Sequence, residues 1–329
     1  MGLNYNYIYF NSLDGAMWKN YPDGYFTICV EDLTRMEGVE VVSAPLYYAS
    51  TPVRYLFALH NSQRYNLPLK SLWYPFYFKN AFKENKPLCF VFQRIPSLEY
   101  ILFLKKKYPN AKFVKVSRDL LCTQPAFFKK YSEAKCFDIW MSFDEGDAEK
   151  YGMPHFAEIE SKTSVPKADN YPLHDVFFAG KAKDRLPRLL EAYDILTKCG
   201  YKCFFYITGT GGLVSDKDGV VYANRDMSYR EMLYHTVNSR CVLEINQENA
   251  QGYTSRFLEA VIYGKKLITD NVYIKKSKFY NPKHIQVINY VSEINPSFIE
   301  SDGDRIDYNY SNEFSPVLLI QQIEGLLTS

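Results

Sequence analysis

No stretch of this 329-residue chain approaches the ~18 consecutive apolar residues of a membrane-spanning helix. Its first residues, Met1-Gly-Leu-Asn-Tyr-Asn-Tyr, have neither the basic segment nor the apolar core of a secretion signal. Charge of one sign is also missing: 39 Lys and Arg against 37 Asp and Glu leave +2, so bulk electrostatics give no reason to expect a nucleic-acid partner. The 7 cysteines form no C-x-x-C pair, and several stand in apolar runs such as Pro87-Leu-Cys-Phe-Val-Phe. That usage fits free thiols in a reducing cytoplasm and excludes a disulfide scaffold. The five histidines, His60, His155, His174, His235 and His284, show no ligand spacing, so no metal site is expected. With 16 Gly and 16 Pro the chain is not collagen-like or of low complexity, and no period of roughly 20–50 residues repeats along it. Trp is scarce at 3 beside 29 Tyr and 23 Phe, a bias that by itself assigns no function.

What is present suffices for folding. Hydrophobic residues make up 47%, and the length suits about two domains, each with its own core. The second half reads more clearly. Asp175-Val-Phe-Phe-Ala-Gly180 is a short apolar run closed by glycine, as a buried strand would be. Leu186, Leu189, Leu190, Tyr193 and Leu196 then follow helical spacing, with Asp184 as the expected cap, Pro187 in the first turn and Gly200 past the end. Residues 201–208 and 219–222 are predicted strands, and Ser228-Tyr-Arg-Glu231 is a capping box for a helix through Val237. A strand at 241–246 leads to a helix over 255–263 stopped by Gly264, followed by strands at 266–269 and 285–289. The first half alternates likewise, with strands at 7–10, 39–42, 89–92, 112–116 and 138–141 and a helix through Leu98, Ile101, Leu102 and Lys105. Polar residues 160–172, with two prolines, are the expected linker, dividing the chain into domains 1–165 and 166–314. A last helix over 315–329, capped by Ser315 with Pro316 first, is a candidate to pack back on the first domain. The alternation predicts an α/β protein of two doubly wound, Rossmann-like domains whose parallel strands end at a ligand cleft.

The chemistry concentrates after the strand at 241–246. There a short polar loop precedes a helix whose first turn carries Gly252, Thr254, Ser255 and Arg256. Unused backbone N–H groups, two hydroxyls and a guanidinium suit a diphosphate, and Glu259, one turn on, could accept bonds from sugar hydroxyls. The same residues would also serve as an ordinary helix cap with a solvated Arg–Glu pair. Gly180 ends the earlier strand and is followed by Lys181, Lys183 and Arg185 at the mouth of the next helix, which in a parallel sheet opens on the same crevice.

Asp175-Val-Phe-Phe-Ala-Gly-Lys-Ala-Lys-Asp-Arg-Leu, the strand through Tyr206, and Gly252-Tyr-Thr-Ser-Arg-Phe-Leu-Glu-Ala-Val-Ile-Tyr-Gly-Lys-Lys-Leu-Ile-Thr resemble the C-terminal half of bacterial glycosyltransferases with the two-domain GT-B fold, of the kind encoded with lipopolysaccharide and capsule genes. Ser142-Phe-Asp-Glu-Gly-Asp-Ala-Glu-Lys-Tyr-Gly152 is similar to the segment closing their N-terminal domain. The likeness covers roughly residues 138–290. It implies a cytoplasmic enzyme, working in solution or at the inner face of the plasma membrane. That enzyme would move a hexose from a nucleotide-diphosphate sugar to a saccharide or lipid-linked acceptor, with no obligatory metal or cofactor. It further implies that Glu259-Ala260 meets the ribose, Gly180 and Lys183 the diphosphate, and the loop at Asn224 and Arg225 the base. The chain lacks the family's upstream Glu-Gly-Phe-Gly and has Gln251-Gly252-Tyr253 there, which leaves the donor sugar and the retaining or inverting outcome open.

Other signals are weaker. Thr208-Gly-Thr-Gly-Gly-Leu213 lacks G-x-G-x-x-G and is expected to be a loop, and Asp302-Gly-Asp304 a turn rather than a metal motif. Asp144, Glu145 and Asp147 suit a helix N-terminus as well as a cation. If the reaction inverts, a base must deprotonate the acceptor; Asp14, after the first strand, is the first candidate and Asp119 the second. Leu72-Trp-Tyr-Pro-Phe-Tyr-Phe-Lys-Asn-Ala-Phe-Lys83 is either a core segment or, with Trp73, Phe76 and the following lysines, a peripheral membrane contact. Two rival functions share the architecture: a nucleotide-sugar epimerase and a non-catalytic binding module.

Overall fold

A computed structural model describes residues 2–11, 23–62, 64–65, 67–121, 124–246, 252–300 and 306–329. Asp14, Cys122, Gln251 and Asp302-Gly-Asp304 lie outside the described residues. In chain order the strands are β1 (Asn6–Phe10), β2 (Val39–Val42), β3 (Leu88–Phe92), β4 (Lys112–Ser117), β5 (Ile139–Ser142), β6 (His174–Lys181), β7 (Cys203–Thr208), β8 (Val220–Ala223), β9 (Ser239–Glu244), β10 (Lys266–Thr269) and β11 (Ile285–Val287). The α-helices are α1 (Tyr25–Ile28), α2 (Thr51–His60), α3 (Leu98–Lys107), α4 (Pro125–Glu133), α5 (Glu145–Tyr151), α6 (Leu186–Lys198), α7 (Tyr229–Val237), α8 (Ser255–Tyr263), α9 (Ser297–Glu300) and α10 (Pro316–Thr328).

The chain divides into two compact units, one of Met1–Pro22, Cys29–Ser161 and Ser315–Ser329, the other of Asp23–Ile28 and Lys162–Phe314. The first holds a parallel sheet in the order β2-β1-β3-β4-β5, with Tyr9 opposite Val41 on one side and Val91 on the other. β1 and β3 are buried along their whole length, as strands covered on both faces must be, which is why Tyr7–Phe10 and Leu88–Phe92 read as unbroken apolar runs. Phe10 and Phe92 stack at 4.8 Å, and Tyr100, Ile101 and Leu104 of α3 close the core over them. Ser97 caps α3 through the Tyr100 N–H. Asp144 caps α5 by accepting from the Asp147 N–H at 2.8 Å, and Asp147 accepts from the Leu121 N–H at 2.7 Å, so these acids serve the helix terminus. α10 buries Leu319, Ile320 and Ile323, while Glu324 accepts from the Tyr7 hydroxyl at 2.6 Å and from the Asn4 N–H at 2.7 Å.

The second unit holds a six-stranded parallel sheet in the order β11-β10-β9-β6-β7-β8. Counting from β6, this is the order 6-5-4-1-2-3 of a dinucleotide-type doubly wound sheet. α6 packs Leu189, Ala192, Tyr193 and Leu196 onto Phe178, Phe205 and Ile207. Its N-cap is Arg185, one residue later than the expected Asp184, with no side-chain cap; the Arg185 N–H instead closes a turn onto the Ala182 carbonyl at 3.1 Å. α8 ends where expected: Gly264 takes φ +61, and a Cβ there would lie 2.8 Å from the Ile306 carbonyl oxygen. The short α1 places Ile28 in the same cluster as Phe177, Ala179, Tyr229 and Leu233. Asp23 pairs with Arg230, and its carbonyl accepts from the Tyr229 N–H at 2.9 Å.

Candidate functional site

In an open parallel sheet the ligand crevice lies at the carboxyl ends of the strands where the winding reverses. Here that point is between β6 and β9, which pair directly. The loops that leave these two strands are the two that the sequence singles out, 180–185 and the approach to α8.

α8 starts from Thr254, whose hydroxyl accepts from the Arg256 N–H at 3.2 Å and donates to Glu244. Glu244 ends β9, is 2% exposed, and accepts a second bond from the Thr269 hydroxyl at the end of β10. Burial raises its pKa and the two hydroxyls pull it back. One buried carboxylate therefore ties the helix N-terminus to two strand ends. Gly252 is held from the same side, its carbonyl accepting from the Asn271 side-chain amide at 2.9 Å. The first-turn N–H groups of α8 that the helix does not use, with Ser255 among them half-buried, point where an anion is favoured.

Arg256 faces inward from that turn. It pairs with Glu259 and also contacts the Met232 sulfur. Glu259 has no exposure and takes its other bond from the Tyr229 hydroxyl at 3.0 Å. Burial alone would push the arginine down, but Glu259 and Tyr229 outweigh it and hold Arg256 above its usual value. Burial pushes Glu259 up against the pull of Arg256 and Tyr229. The Arg–Glu pair is thus a buried one, not the solvated pair of an ordinary cap, and Glu259 is enclosed where an exposed carboxylate was expected for sugar hydroxyls.

On the β6 side, Arg185 crosses the crevice floor. It donates to the Lys181 carbonyl at 3.1 Å and to the Ile245 carbonyl beyond β9, and lies 5.4 Å over the Phe178 ring. Gly180 makes this possible, because a Cβ there would stand 3.0 Å from the Arg185 guanidinium. Burial lowers the Arg185 pKa first, and the positive charge of Arg256 lowers it further, so the two guanidinium groups feel each other across the switch point. Lys183 is exposed and holds φ +46, a left-handed conformation that a side chain strains to keep. Lys181 is exposed 3.9 Å from Asp226. Asn224 and Arg225 are exposed after β8, and the Arg225 carbonyl accepts from the Tyr206 hydroxyl at 2.8 Å.

The structure therefore brings Gly180, Lys181, Lys183 and Arg185 to the same strand-end rim as Gly252, Thr254, Ser255, Arg256 and Glu259, with Asn224 and Arg225 at the end of a strand two places away. Sequence reasoning missed Glu244 and the pair Arg188–Asp270 at 2.9 Å, which accepts the Asn246 N–H on Asp270 and donates to the Asn246 carbonyl from Arg188. A lone acid at the end of an apolar strand was the available signal for Glu244. In the first unit Asp119 is exposed just past β4. Beside it Arg118 pairs with buried Glu158, and Lys115 is buried with its ammonium on the Gln93 and Val116 carbonyls at 2.8 and 2.6 Å. Burial lowers Lys115 to about 7.

No protein-family model matches the chain, and no curated protein matches it in sequence. Solved structures do. An alpha-glucosyltransferase in complex with UDP-glucose and DNA containing an abasic site superposes with a TM-score of 0.54 at 11% identity, over 98% of either chain. Anabaena Alr3699/HepE in complex with UDP and glucose gives 0.52 at 12% identity, over 98% of this chain and 99% of that one. The fold is GT-B. A mutant of S. aureus TarM, in complex with Fondaparinux, alpha-GlcNAc-glycerol and UDP, shares the GT-B architecture with a TM-score of 0.51 at 12% identity. This chain covers 55% of TarM and 58% of a chain in a GtfA/B complex, a little over half the length of those proteins.

Proposed function

We propose that the chain is a glycosyltransferase that takes a hexose from a nucleotide-diphosphate sugar, held at the β6–β9 switch point, and passes it to a saccharide or lipid-linked acceptor in cytoplasmic surface-polysaccharide synthesis. The observation that carries the reading is the convergence of a cationic turn and a capped helix N-terminus on the one place in this sheet where a diphosphate would be bound. UDP or UDP-glucose in three GT-B neighbours supports the choice of ligand. In the reaction the bond from the sugar's anomeric carbon to the diphosphate breaks and one to the acceptor oxygen forms. If the reaction inverts, the acceptor proton goes to a carboxylate, with Asp14 the first candidate and Asp119 the second; the diphosphate leaves with the negative charge. The α8 N–H groups, Lys181 and Lys183 stabilise that charge without an obligatory metal. Arg185, Arg256 and Glu259 act as positioning residues: the first braces the β6 turn against β9 and the ion pair sets the pitch of α8. Asn224 and Arg225 are the proposed base contacts, with the ribose near the first turns of α8.

The test is a thermal-shift series with UDP, UDP-glucose, ADP and GDP. A ligand at about 100 times its Kd should raise the melting point by roughly 5–10 °C, and the rise should vanish in Lys181→Ala/Lys183→Ala. No response to any nucleoside diphosphate would refute the donor site and favour a non-catalytic module. Interconversion of the donor sugar without an acceptor would mean an epimerase.

A further inference from the structure

In the first unit, the chain from residue 41 to residue 83 contains no Asp or Glu, although the protein as a whole has 37. It contains Arg54, Arg64, Lys70, Lys79 and Lys83. This one-signed stretch also holds a concentration of exposed large apolar side chains. On α2 the residues Pro52, Tyr55, Leu56 and Leu59 follow i, i+3, i+4, i+7 and form a single stripe. Such a stripe ordinarily turns to the core, but here it turns out: Leu56 is 60% and Leu59 54% exposed, and only Phe57 of this helix is buried. The following 3-10 segment Lys70–Phe76 continues the surface, with Leu69 67% and Leu72 63% exposed.

The helix and the 3-10 segment that carry these side chains are joined by direct contacts. Phe57 and Trp73 meet edge to face at 5.3 Å, the Trp73 indole N–H donates to His60 Nδ1 at 2.6 Å, and His60 Nε2 sits 2.7 Å from the Pro68 carbonyl. Trp73 is thereby turned inward, as the core-segment alternative for 72–83 has it, and its role is to lock the 3-10 segment to α2. Phe76 remains exposed, and the Tyr48 hydroxyl donates to its carbonyl at 3.0 Å.

We propose that this face, α2 with the segment 69–76, docks on an anionic lipid bilayer and seats the first unit on it. A protein partner with an apolar groove would match the leucines but would give no reason for the loss of every acid over 43 residues. A bilayer of anionic lipid gives one, because its negative surface repels carboxylates and attracts juxtaposed Arg and Lys while accepting Leu and Tyr at headgroup depth. The inference is independent of the donor site, which lies on the other unit.

The full chain, sedimented with vesicles of phosphatidylglycerol and phosphatidylcholine, should bind them, bind pure phosphatidylcholine about tenfold or more weakly, and be released by salt. Leu56→Glu/Leu59→Glu should weaken vesicle binding by about tenfold or more. Its melting point and its thermal shift with UDP should match those of the parent, since both leucines point to solvent. Arg64→Gln/Lys70→Gln should weaken binding to the anionic vesicles alone. Absence of binding to anionic vesicles would overturn the proposal, as would binding indifferent to the leucine pair. So would a dimer in sedimentation velocity that the leucine pair dissolves, which would assign the face to a second copy.

Discussion

Arg256→Ala separates the two tasks that a cation at the start of α8 could perform. Were Arg256 an open ligand for phosphate, its removal would lower turnover and leave the fold alone. The side chain is instead 15% exposed and pairs with a Glu259 that has no exposure. Removing one member of a buried pair strands the other charge, at a cost of about 3–5 kcal/mol. For a unit of this size that corresponds to a fall in melting point of roughly 6–20 °C. The loss should depend on pH. Glu259 already binds its proton more tightly folded than unfolded, so its contribution falls as pH rises above the ordinary carboxylate range. Without Arg256 to pull it down, that decline should reach further towards neutrality, and Arg256→Ala should be closest to the parent near pH 4–5, the ordinary carboxylate range, and furthest from it at pH 8. Arg256→Met/Glu259→Leu, which leaves no charge behind, should recover most of the stability. Thermal denaturation of the three proteins across this pH range checks the whole argument. A melting point for Arg256→Ala within about 2 °C of the parent at pH 8 would refute it and return Arg256 to the role of a free anion ligand.

Lys183→Gly should relieve the left-handed strain at that position and stabilise by about 1 kcal/mol, while UDP affinity by calorimetry falls several-fold; a loss of stability would show that Lys183 holds the turn by contacts instead. Asp119→Asn, at an exposed position, should keep the melting point and lower turnover by about 10² or more if Asp119 takes the acceptor proton; unchanged turnover removes it. Lys115, lowered to about 7 by burial, is less protonated folded than unfolded above that pH, so folding gains stability as pH rises from about 7 to 9. Lys115→Met should remove up to about 1.4 kcal/mol per pH unit of that slope in urea titrations, and an unchanged slope would mean that the ammonium stays charged inside.

The second sheet was legible because a strand covered on both faces has to be a continuous apolar run, and 175–180, 201–208 and 241–246 are such runs ended by glycine or a polar loop. α8 was legible because Gly264 can take the φ that stops it. What sequence could not give was direction. The spacing of Leu186 to Leu196 correctly faces a core, whereas the same spacing at Pro52, Tyr55, Leu56 and Leu59 faces water, and nothing local distinguishes the two. Nor could spacing reveal that the Arg185 guanidinium reaches a carbonyl 60 residues away or that Glu244 gathers hydroxyls from two elements. Spacing offered Arg256 either as a phosphate ligand or as half of a solvated Arg–Glu pair, and it could not show that the pair is buried. The Arg185 and Glu244 contacts share one source, because side chains at a strand end are held by neighbours further along the chain, whereas the Arg256–Glu259 pair is local and only its burial lay beyond spacing.

The assignment of Asp23–Ile28 to one unit and of Ser315–Ser329 to the other governs how this polypeptide can be cut and how it emerges from a ribosome. A gene divided between residues 161 and 162 would deprive the later fragment of Ile28 and of the Asp23 anchor on α7, and the earlier fragment of α10 and its Glu324 clasp on Tyr7. Neither product would be whole. During synthesis the N-terminal half must wait for residues 315–329 before its outer layer closes, so the unit begun first is completed only after the strands of the other have emerged.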